Sequence, residues 1–67
     1  MSRHLHRARE HEHDMLSNLR MRDDVLRPRT PSSAAWTSAD RFLAAAAYHA
    51  AIATALRNMH VEDGVEP

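Results

Sequence analysis

The stretch ADRFLAAAAYHAAIATALRNMH, residues 39–60, decides the fold. Eight alanines stand between Ala44 and Ala55, and alanine is the strongest helix former because it gives up no side-chain entropy and buries no polar group. At about 100° per residue Phe42, Ala45, Tyr48, His49, Ile52, Ala53, Leu56, Met59 and His60 gather on one wide face, roughly 160° of the cylinder. The small alanines among them let a partner backbone approach closely.

The start and stop of this helix are read from its flanks. Thr37 and Asp40 stand in the T-x-x-D relation of a capping box, with Trp36 just outside it as a staple, so the spacing predicts a helix over 38–61. A start at Thr30 with Pro31 in the first turn is the alternative. Gly64 supplies the left-handed stop and Pro67 lies beyond it, within an acidic tail over 62–67.

Upstream, RPRTPSSAAWT over residues 27–37 carries two prolines and several hydroxyl residues that interrupt helical periodicity. This is the linker. Before it, Leu5, Ala8, Met15, Leu16, Leu19 and Leu26 fall within an arc of about 100°, which predicts a first helix over 3–26. The stripe is thin. Glu12 and Asp23 project into the same arc, and Leu5, Glu12, Leu19 and Leu26 are spaced by sevens, a short heptad seam with one charged position. Such a charge either selects a register or sits at an exposed edge.

No period-2 run of β-branched residues occurs, so the fold class is all-α: a single domain over 1–67, a two-helix αα-hairpin. Helix 2 offers more apolar surface than helix 1 can cover. A second copy completing a four-helix bundle is the economical solution, with Phe42, Tyr48, His49, Ile52, Leu56 and Met59 meeting Leu5, Met15, Leu19 and Leu26 in the interface and core.

Composition narrows what such a chain can do. Cysteine is absent, which excludes disulfides and thiolate metal sites. Nine arginines balance nine acidic residues, so the overall charge points to no polyanionic partner. The beginning of the chain has no apolar signal-like region, and the longest apolar run, Phe42 to Leu56, is shorter than the roughly 20 residues of a bilayer span. A cytoplasmic protein with no membrane partner is expected.

The histidines invite a metal reading. In HLHRAREHEH, residues 4–13, His6, Glu10 and His13 have the spacing with which one helix face holds a divalent transition metal, and Asp14 stands beside them. Glu10-x-x-His13 is the spacing of ferritin-like di-iron bundles, and His6 to Glu10 that of hemerythrin-like proteins. Helix 2 brings no glutamate to complete a carboxylate-rich centre, so neither family is assigned. The three residues point nearly opposite the Leu5–Met15–Leu19 stripe, which makes a solvated face the expected reading and no cofactor the default. His4 and His11, seven apart, flank the apolar seam. His49 and His60 lie on the apolar face of helix 2, about 16 Å apart along the axis, too far to share an ion within one chain. At a two-fold axis His49 would meet its own copy.

Two further classes rank lower. Seven of the nine arginines fall in residues 1–29, which makes Arg3, Arg7, Arg9, Arg20 and Arg22 candidate nucleic-acid contacts, but five acidic residues interrupt the series. An enzyme is not expected: no serine sits in a nucleophile-elbow setting, no glycine-rich phosphate loop exists, and a hairpin offers little concave volume. A small non-enzymatic interaction or structural protein is the leading expectation, with itself or another protein as partner. An Arg-rich nucleic-acid-binding regulator and a metal-binding bundle are the alternatives.

Overall fold

A computed structural model describes residues 3–62 and shows two helices, α1 (Arg3–Val25) and α2 (Ser33–Glu62), packed side by side as an antiparallel hairpin. No strand occurs among the described residues. The Gly64 stop and most of the acidic tail lie outside them. The molecule is a rod, 53 × 15 × 13 Å.

α1 stops where the sequence forces it to. The Leu26 amide still donates to the Arg22 carbonyl at 3.2 Å, and the Arg27 amide tightens the last turn onto the Asp24 carbonyl at 3.3 Å. The Arg27 guanidinium also pairs with the Asp24 carboxylate. Pro28 then has no amide to offer and disfavours helical backbone at Arg27.

α2 begins five residues earlier than the Thr37–Asp40 capping box predicts. Ser32 is the N-cap: its Oγ accepts from the amide of Ala35 at 3.1 Å, satisfying one of the donors that no preceding turn can reach. Trp36 already donates to the Ser32 carbonyl at 3.1 Å, so it lies inside the first turns and not outside as a staple. Thr37 turns its hydroxyl back onto the Ser33 carbonyl at 3.1 Å, the bond a threonine makes inside a helix. The linker is therefore shorter than 27–37, and the alternative start at Thr30 is not used either.

The interface between the helices is a 4-3-4-3 seam on both. On α1 it comprises His4, Ala8, His11, Met15, Asn18, Arg22 and Val25; on α2, Ala35, Ala39, Phe42, Ala46, His49, Ala53, Leu56 and His60. None of these fifteen residues is exposed, which identifies the seam. Its buried members are Ala8, Ala39, Ala46, Ala53 and Leu56, with Ile52 packed beside the Ala8–Ala53–Leu56 cluster. Alanine in every heptad of α2 permits a close interaxial approach, toward the short end of the roughly 8–10 Å range.

This seam differs from the predicted stripe of α1. The leucines Leu5, Leu19 and Leu26 flank it half-buried, and Leu16 is 51% exposed. The face of α1 is turned so that two histidines, an asparagine and an arginine look toward α2. The reason lies in α2: its alanine seam is shallow, and the small Ala8 at 0% exposure fits against it where a leucine would hold the helices apart. The polar cost is visible, since Arg22 Nε and His60 Nδ1 are buried with no hydrogen-bond partner among the described residues.

Candidate functional site

A bidentate ion pair crosses the hairpin from α2 to α1. Arg57 Nε donates to one carboxylate oxygen of Glu12 and its terminal amino group to the other, both at 2.7 Å. This fork-to-fork geometry is the most directional form of an ion pair. The Arg57 hydrogen bond holds the Glu12 carboxyl below the ordinary carboxylate range, while Glu12 raises Arg57. The charge that interrupts the α1 heptad is thus a cross-helix anchor. Arg57 could not be singled out from the sequence, because its partner depends on the rotation of α1.

The pair marks one long edge of the rod. At about 100° per residue Leu16 and Leu19 lie on the same side of α1 as Glu12, and Trp36, Leu43 and Ala50 on the same side of α2 as Arg57. Leu16, Trp36 and Leu43 are about half exposed, at 51%, 49% and 46%. Together they line an edge extending roughly 15 Å from the middle of the rod toward its closed end, which they share with the exposed Asp23 of α1 and Asp40 of α2. The opposite edge is mixed as well: Tyr48 and Met59 of α2 and Met21 of α1 are exposed there, beside Asp14 and Asn18 of α1.

The residues expected in an interface divide accordingly. Leu56 is buried inside the hairpin, and Phe42, His49, Ile52, Leu5, Met15, Leu19 and Leu26 are partly buried along it. Tyr48 and Met59 remain open.

His6, Glu10 and His13 lie along the outer face of α1, lining with Arg9 and Asp14 an open, shallow depression. His6 Nε2 stands 3.6 Å from Glu10 and His13 Nδ1 3.9 Å from Asp14. All three side chains are more than 60% exposed, as expected of a solvated face, and their ligand atoms do not converge.

A different cluster does converge. His11 of α1 and His49 of α2 bring their Nδ1 atoms to 2.8 Å, with ring centroids 5.1 Å apart. Asp14, one turn beyond His11, completes a group whose ligand atoms all lie within 4.8 Å of one another. The ring of Tyr48 stands edge-on to His49 at 5.5 Å. His49 therefore meets His11 of its own chain, and the contact with its own copy that a two-fold axis would allow is not needed to place it. His11 was legible only as a residue flanking the seam, and the link across 38 positions was not legible at all.

The arginines do not form one stripe. Arg9 and Arg20 share a side of α1, Arg3 and Arg7 another, and Arg22 is drawn into the inter-helix seam. No helix among the described residues is long and apolar enough to cross a membrane. In comparison with known proteins, the chain matches no family model, no curated protein and no solved structure.

Proposed function

We propose that this chain is a small non-enzymatic helical protein that acts by self-association, two hairpins closing into a four-helix bundle along the Leu16–Leu19–Leu43–Trp36 edge. One observation carries this reading. Among the described residues Leu56 is the only large apolar side chain that a single hairpin buries, while Leu16, Trp36 and Leu43 stay about half exposed on one edge. Alanine contributes little burial energy per residue, and chains of this size without disulfides or metal usually depend on a partner.

The large apolar side chains that the rod leaves half exposed support a second copy as the occupant. A two-fold arrangement would set Leu16, Leu43 and Trp36 of one hairpin against those of the other.

Sedimentation of the wild type and of Leu43→Asp tests this. Leu43 lies outside the hairpin's own seam and is 46% exposed, so the substitution acts on the association and not directly on the intrachain seam. The wild type is expected to sediment as a dimer at micromolar concentration and the variant as a monomer with reduced helicity. A wild-type monomer with full helicity refutes the proposal.

A further inference from the structure

We infer that His11, Asp14 and His49 form a binding site for a divalent transition metal, with zinc as the best fit, that staples α1 to α2. The facing Nδ1 atoms carry the argument. Two neutral imidazoles can meet nitrogen to nitrogen at 2.8 Å only if one presents its Nδ1–H and the other a lone pair. A metal ion takes the place of that shared proton, and the donating ring then carries its proton on Nε2, the tautomer that ligates through Nδ1. No net proton is lost from the neutral pair.

The dimensions are compatible. Tetrahedral zinc with bonds of about 2.0–2.1 Å sets its nitrogen ligands about 3.3 Å apart, so the rings need to separate by roughly half an ångström. The Asp14 oxygen, within 4.8 Å of both nitrogens, must close by somewhat more than an ångström. Its side chain is 53% exposed and follows His11 by three positions, so this swing meets no packed neighbour in the core. Two nitrogens and one carboxylate oxygen leave the fourth position to water, the donor set of an open zinc site. The Tyr48 ring stands edge-on to His49 at 5.5 Å on the same side of α2.

The cluster also has what the outer histidines lack, ligands from both helices. Metal bound there joins positions 11 and 49 and stabilises the folded hairpin by mass action, since the unfolded chain does not hold the three groups together. All three ligands belong to one chain, so the site does not depend on whether two hairpins associate.

Zinc titration of the metal-free full chain by calorimetry tests the assignment, with melting followed by circular dichroism in the same samples. The expected result is one zinc per chain and a higher melting temperature. Asp14→Asn, at an exposed position that leaves the fold intact, should weaken binding by at least the roughly tenfold that loss of even an outer-shell partner costs. His49→Gln should abolish it, whereas the double variant His6→Gln, His13→Gln should bind as the wild type does. Nitrogen-15 spectra of the wild-type imidazoles give a reading independent of any variant: zinc should move the Nδ1 resonances of His11 and His49 together. No saturable heat, or binding that the outer double variant loses and Asp14→Asn retains, overturns the inference.

Discussion

Enlarging a residue in the alanine seam should destabilise this protein even though it adds apolar surface. Ala53 is 3% exposed and belongs to the cluster with Ala8, at 0%, and Leu56, at 4%. Ala53→Leu adds three carbons where two helices meet through methyl groups, and nothing in that cluster can move aside without parting the helices. Overpacking of this kind costs about 1–3 kcal/mol, or roughly 4–20 °C in melting temperature for a domain of this size. The control is Ala51→Leu, the same chemistry at an exposed position two residues away. Helix propensity changes equally in both variants, so the difference between them isolates packing. Thermal unfolding followed by circular dichroism supplies both values. If Ala53→Leu melts at or above Ala51→Leu, the helices are not in close contact at Ala53 and the described seam is wrong.

Ser32→Ala should cost about 1 kcal/mol in denaturant unfolding through loss of the N-cap, and Thr37→Ala less than about 0.5, whereas the reverse order would restore the later helix start. His6→Gln combined with His13→Gln should change stability by less than about 0.5 kcal/mol in the absence of metal, because both side chains are solvated. Glu12 has a lowered pKa because Arg57 donates two hydrogen bonds to it. Its contribution is therefore complete above the ordinary carboxylate range and is lost as pH falls through the lower folded value. Acid titration of stability should be shallower in Glu12→Gln than in the wild type, and the difference should shrink in high salt. An unchanged acid limb would mean that the pair is not formed.

The hairpin itself was legible, because the proline-rich break and the alanine-rich run each act locally. Local chemistry also explains the one misplaced boundary: Ser32 and Thr37 are both good caps, and only the bond from the Ala35 amide to Ser32 Oγ tells which is used. The rotation of α1 was not legible from large apolar residues. Leu16 draws the predicted stripe to one side, whereas the packed face is set by the complement of a shallow partner, with Ala8 and Met15 central and His4 and His11 turned inward. The 4-3-4-3 spacing from His4 to Val25, matched against that from Ala35 to His60, holds this information. It shows itself once small and polar residues are allowed to count as seam positions. The pairings Glu12–Arg57 and His11–His49 then follow from register, which depends on linker length and helix rotation together.

If two copies meet along the Leu16–Leu43 edge, nuclear Overhauser spectra filtered for contacts between labelled and unlabelled chains detect the meeting itself. In an equimolar mixture intermolecular cross-peaks are expected from the Trp36 ring and the methyl groups of Leu16, Leu19 and Leu43. Absence of intermolecular peaks at millimolar concentration, or peaks confined to Tyr48, Ile52 and Met59 on the opposite edge, would contradict it.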